Sequence, residues 1–140
     1  MTYEKFLPED IPAWQEEFWH SLKAHKARIQ RCVQCGSFRY VPKEICYRCH
    51  SSAATWEPIQ GTGTVYTFTV VRRAPTPAFQ ADSPYTIVHV EMDEGVRMVG
   101  LWASDSAADV YIDMPVRLTY DDITPDWTIL RFEPIKESAA

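Results

Sequence analysis

Cys32-Val33-Gln34-Cys35 and Cys46-Tyr47-Arg48-Cys49 hold all four cysteines of the chain. Two Cys-x-x-Cys turns that face each other bring four sulfurs to one point, a tetrahedral thiolate cage that suits zinc. Ten residues, Gly36 to Ile45, lie between the turns. That leaves room for a short hairpin, although the interval is shorter than is usual for such sites. Gly36 follows the first turn and can take the positive φ that closes it. His50 stands after Cys49 in place of a second glycine, so the second turn reads as less regular.

Other readings of the cysteines are weaker. Disulfides need an oxidising compartment, and the polar, charged opening MTYEKFLPED carries no export signal. The expectation is a cytoplasmic protein with reduced thiols. A redox Cys-x-x-Cys normally appears once, beside a βαβ pattern that this sequence lacks. Iron of the rubredoxin type stays open, because four sulfurs accept either metal. With every ligand supplied by Cys32, Cys35, Cys46 and Cys49, no coordination position remains for a substrate. The metal is therefore read as structural.

Upstream, Ile11, Trp14, Phe18 and Leu22 recur at helical spacing, with Asp10 as the expected cap and Pro12 in the first turn. This predicts an amphipathic helix over 11–25, preceded by a loose arm over 1–9. Trp19 widens its apolar face, which docks on the chain's own domain or on another protein. Residues 27–31 and 38–41 read as strands flanking the first turn. Downstream of Trp56 the pattern becomes all-β. Strands are expected over 64–73, 85–92, 96–102, 115–120 and 127–132. The segment 74–84 holds Pro75, Pro77 and Pro84 and reads as a loop. Residues 104–111 read as a loop or a single helical turn. Five strands with glycine turns fit a small closed barrel, for which the OB-fold is the best template. The fold class is thus mainly β, divided into an arm and helix (1–26), a cysteine ribbon (27–56) and an OB-fold barrel (57–140).

Net charge is −5, and it is uneven. Residues 1–56 carry eight Lys/Arg and six Asp/Glu, whereas 57–140 carry six and thirteen. The basic side chains cluster around the cysteines, where they are either a solvated rim or a patch for an anion or an acidic protein face. The acidic barrel would repel a phosphate backbone, which disfavours nucleic acid. No apolar run approaches membrane-spanning length.

The order of helix, cysteine ribbon and barrel resembles the DUF35 family, proteins with a rubredoxin-like zinc ribbon followed by an OB-fold. The likeness is carried by Phe18-Trp19-His20-Ser21-Leu22, by Gln30-Arg31-Cys32-Val33-Gln34-Cys35-Gly36 and by Tyr40-Val41-Pro42. It continues through Cys46-Tyr47-Arg48-Cys49, the run from Gly61 to Arg73, Pro84-Tyr85, Asp93-Glu94-Gly95-Val96-Arg97 and Met114-Pro115-Val116. It spans residues 10 to 134. The resemblance implies structural zinc and a non-catalytic accessory subunit in a hetero-oligomer with a thiolase-like acyl-CoA enzyme. That enzyme would make or break C–C bonds or transfer acyl groups, and the small subunit would support assembly and help channel a CoA-linked intermediate. A nucleic-acid-binding module and a rubredoxin-like electron carrier are the alternatives.

No catalytic residue is assigned. His89 and Glu91 share a strand face and form a possible acid–base couple, but such pairs are more often structural. Arg72 and Arg73 enter the proline loop, where Phe79 is expected to stand exposed. Arginine grips phosphate and an aromatic ring stacks adenine, so these three residues are the candidates for contact with a partner or with CoA. The competing reading is that the two arginines point to opposite strand faces and one simply pairs with an acid.

Overall fold

The computed structural model describes residues 7–103 and 110–135. Helix α1 runs Ala13–Lys23. Pro12, not Asp10, is its N-cap, and no side chain caps the end. Asp10 instead takes φ 56, which points the chain away before the helix begins. The rigid φ of proline starts the helix without a capping oxygen. Phe18 and Leu22 are buried on its inner face, while the Trp19 ring meets Trp127 edge-on at 5.8 Å. The helix therefore docks on its own chain.

Strands β1 (Arg28–Cys32), β2 (Phe38–Arg39) and β3 (Ala54–Pro58) form one antiparallel sheet in the order β2-β1-β3. The expected hairpin between the two cysteine turns is not there. The hairpin is β1–β2 and wraps the first turn, with Gln30 opposite Arg39. β3, which the sequence pattern did not reveal, pairs along the whole of β1 from Arg28↔Pro58 to Cys32↔Ala54. Gln30 sits buried in mid-sheet and earns that place through its amide, which accepts from Lys43 N–H at 2.8 Å and donates to Lys43 C=O at 3.0 Å. This clamp holds the segment before the second turn without a strand.

β4 (Thr62–Val71), β5 (Tyr85–Met92), β6 (Arg97–Trp102), β7 (Pro115–Asp122) and β8 (Thr128–Pro134) close a barrel in the order β4-β5-β6-β8-β7. Closure uses a parallel β6–β8 contact at Leu101↔Arg131 and Trp102↔Phe132. The arrangement is that of an OB-fold. Val65, Val88, Val90, Met98, Val116 and Phe132 fill the interior with no exposed surface. Gly63 and Gly100 are where strands approach too closely for a side chain; a Cβ on Gly63 would lie 2.3 Å from the Glu91 carbonyl oxygen. A bulge between Val65 and Thr67 bends β4. The proline loop contains a short helix, α2 (Pro77–Gln80). Residues 1–6 of the expected arm, and 104–109 of the segment read as loop or turn, lie outside the described residues.

Both ends of the ribbon are fastened to β7. At its entry, His25 (φ 57) stacks on Tyr120 at 5.0 Å and its Nε2 lies 2.9 Å from Asp122 Oδ1. The Tyr120 hydroxyl accepts the Ala27 N–H at 2.8 Å. At the exit, Leu118 N–H donates to Gly61 C=O at 2.6 Å.

Candidate metal centre and docking residues

The two cysteine turns repeat one local design. Gly36 N–H donates to Cys32 C=O and His50 N–H to Cys46 C=O, each at 3.0 Å. Cys32 N–H donates to Ser37 C=O at 2.8 Å, and Cys46 N–H to Ser51 C=O at 2.9 Å. Gly36 turns at φ 77 and His50 at φ 63. The second turn is therefore as regular as the first, and the sequence expectation of an irregular one is corrected. His50 adopts the left-handed conformation that glycine would adopt more cheaply.

All four sulfurs lie within 4.8 Å of one another. Cys32 and Cys49 are 3.4 Å apart, and Cys35 and Cys46 are 3.6 Å apart. A tetrahedral zinc site with bonds of about 2.3 Å needs sulfur–sulfur separations of about 3.8 Å. The geometry fits a four-coordinate, thiophilic ion. The electrostatics fit as well. The Cys35 amide lowers the Cys32 pKa, the Ser37 hydroxyl lowers that of Cys35, and the Cys49 amide lowers that of Cys46. Cys49 receives a hydrogen bond from the Ser51 amide. Even so, the Cys32, Cys35 and Cys46 thiols, together with burial, push it up to about 11. Hydrogen bonds from amides and a hydroxyl thus favour the thiolate at three of the sulfurs, while crowding by the other three favours the thiol at Cys49. A cation at the centre would shift that one to thiolate as well.

Arg72 and Arg73 are exposed just past the end of β4. Phe79 is not the exposed ring that the sequence predicts. It is half-buried on α2, with its ring 5.9 Å from that of Tyr85. The loop's turn over β5 brings the two rings together. These residues stand apart from the cysteines in the fold, since β4 pairs with β5 and β7 and not with the ribbon. His89 meets Tyr66 edge-on at 5.9 Å, and the Arg97 guanidinium lies 3.7 Å above the Tyr66 ring. Sequence reasoning gave Tyr66 and Arg97 no functional role, because strand alternation alone does not say which outward side chains meet. A groove of about 380 Å³ runs between α1 and the barrel. Phe18, Trp19, Tyr40, Val99 and Leu101 line it. Among the described residues, no helix is long and apolar enough to cross a membrane.

Comparison with known proteins bears on this architecture. The family model of the rubredoxin-like zinc ribbon domain of ChsH2 matches residues 19–54, and that of the ChsH2 C-terminal OB-fold domain matches residues 56–121. A DUF35 domain-containing scaffold protein of Methanocaldococcus jannaschii is 34% identical over 110 residues, covering 77% of each chain. The 3-oxo-4,17-pregnadiene-20-carboxyl-CoA hydratase alpha subunit of Mycobacterium tuberculosis is 39% identical over 117 residues, covering 84% of this chain. This chain spans 36% of that subunit's length. A chain of the solved Ltp2-ChsH2(DUF35) aldolase superposes with a TM-score of 0.80 at 31% identity, covering 91% of this chain and 98% of that one.

Proposed function

The chain belongs to the DUF35 family, and from that premise we propose that it is a non-catalytic accessory subunit of an acyl-CoA enzyme. Its partner is a thiolase-like enzyme that makes or breaks C–C bonds or transfers acyl groups. The small subunit supports assembly and helps to channel the CoA-linked intermediate. The observation that carries this reading is the near-complete structural overlap with the DUF35 chain of an aldolase assembly. The hydratase alpha subunit adds a second acyl-CoA enzyme containing a similar region.

One zinc ion per chain sits between Cys32, Cys35, Cys46 and Cys49. These residues would bind it and close its coordination shell, so zinc supplies folding energy to the ribbon and no reaction step. We read the assembly as cytoplasmic, where the thiols stay reduced. Arg72, Arg73 and Phe79 form the side of the barrel nearest the partner's CoA entrance. The arginines face phosphate or acidic side chains, and Phe79, braced by Tyr85, holds the loop in shape.

The test is to purify a tagged chain from its native cells and identify what co-elutes. A stoichiometric acyl-CoA enzyme is the expected result, with the pure chain alone giving no turnover. Phe79→Ala should weaken co-elution or raise the partner's KM with zinc content unchanged. Turnover by the pure chain that His89→Ala abolishes, or the absence of any acyl-CoA enzyme, would overturn the reading. Iron in place of zinc, with a red protein, would favour an electron carrier.

A further inference from the structure

β4 runs farther than the barrel needs. Its pairing with β7 covers only Thr62↔Arg117, Gly63↔Val116 and Thr64↔Pro115. Val65 adds backbone bonds to Met114 and Asp113. Beyond the bulge at Tyr66 the strand pairs with β5 on one side, from Thr67↔His89 to Val71↔Tyr85. On its other side no strand pairs with it among the described residues. Alternate backbone N–H and C=O groups of an antiparallel strand point toward each neighbour, so this stretch presents an unpaired row.

Its side chains tell the same story. In the first half of β4, Gly63 and Val65 are buried, whereas Tyr66, Thr67, Phe68 and Thr69 are all exposed. Tyr66 and Phe68 show 46% and 36% of their surface. Natural sheets guard such edges with charge, proline or a bulge. Here a bulge at Tyr66 guards only the start of the stretch, and Thr67-Phe68-Thr69-Val70-Val71 beyond it contains no charge, proline or glycine. An uncharged, β-branched and aromatic open edge is what strand addition requires.

We propose that this edge of β4 receives an extended strand donated by the partner enzyme, and that the strand carries acidic residues at its ends. This rests on the accessory-subunit reading for the partner's identity. Charge decides the occupant. Arg97 caps Tyr66 at one end of the open stretch, and Arg72 and Arg73 stand exposed at the other. Residues 64–81 contain no acid. A second copy would pair badly. Antiparallel self-pairing centred on Phe68 and Thr69 sets Arg72 and Arg73 beside the other copy's Tyr66, whose ring already carries Arg97. Cation would meet cation at both ends.

Hydrogen exchange of the whole chain tests the proposal in two arms. In the purified complex, the outward amides within 66–71 should slow by about tenfold or more relative to the free chain. A complex that forms without protection there overturns the edge proposal and leaves the accessory role standing. The second arm needs no partner. Its probe is a short synthetic strand of alternating threonine and valine with aspartate at each end. It should protect the same amides, while its lysine-ended twin and a copy N-methylated along one edge should not. R72E/R73E should weaken the aspartate-ended probe by about tenfold and restore binding of the lysine-ended one. Equal binding of both probes, or none by either, overturns the proposal whatever the partner proves to be.

Discussion

The ribbon and the barrel are both built from β-strands, yet they are held together by different forces. Five strands of the barrel enclose Val65, Val88, Val90, Met98, Val116 and Phe132. The ribbon has three short strands, one of them only two residues long, and its fully buried side chains are Ile29 and Cys46. Val33, Val41, Ile45 and Tyr47 lie exposed on it. So small a sheet cannot bury enough apolar surface to offset its chain entropy. The four sulfurs take over the role that the apolar interior plays in the barrel. On the zinc reading proposed above, metal coordination stands in, within one chain, where hydrophobic burial falls short.

Breaking each half on its own terms tests this contrast. The largest effect should come from Cys46→Ser. Structural zinc in isolated finger peptides contributes on the order of 10–16 kcal/mol, so the variant should lose its metal and its ribbon order. Exchange should become fast in β1 and β3, while the amides of β5 stay protected. Loss of protection in both halves together would show that the ribbon also holds up the barrel.

Phe132→Ala is the mirror experiment. Its ring is fully buried, and such truncations cost about 3–5 kcal/mol. Denaturant melts should show a weakened barrel at full zinc content. His50→Gly acts more gently and in the opposite direction. Relieving the left-handed backbone should stabilise the ribbon by about 1 kcal/mol, read as slower zinc release to a chelator and an unchanged barrel midpoint.

The smallest effect sits on the seam. The Thr128 hydroxyl and then His25 lower the Asp122 pKa below its ordinary value of 3.8. A depressed folded pKa contributes stability that is present above the unfolded value and lost as pH falls through the folded one. Wild-type protein should therefore lose stability as pH falls through and below the ordinary carboxylate range, and Asp122→Asn should flatten that slope. An identical slope in the variant would remove the seam from the acid response.

Where a signal was local, the sequence carried it. The cysteine spacing located the cage, and the strand expected over 85–92 has the limits of β5, Tyr85–Met92. Long-range pairing was harder to read. β3 carries a burial pattern without clear alternation, and it is a strand because β1 needs a partner. Asp10 looked like a cap because its residue type favours caps, but its backbone turns the wrong way. Phe79 looked exposed because a proline loop hides the fact that its helix folds back on Tyr85. The open edge of β4 depends on where β7 stops pairing, which no property of residues 66–71 announces.

The fastening of the ribbon at both its entry and its exit has a consequence for assembly. Tyr120 and Leu118, two residues apart on β7, hold the chain at Ala27 and Gly61. The insertion between them is held at both of its ends. The ribbon tip and the barrel loops therefore keep a fixed span, like the two jaws of a bracket. An enzyme that grips one jaw finds the other already in place, with none of the dilution that a flexible linker imposes on a second contact. In the assembly proposed above, contacts on both jaws would act as one bidentate grip.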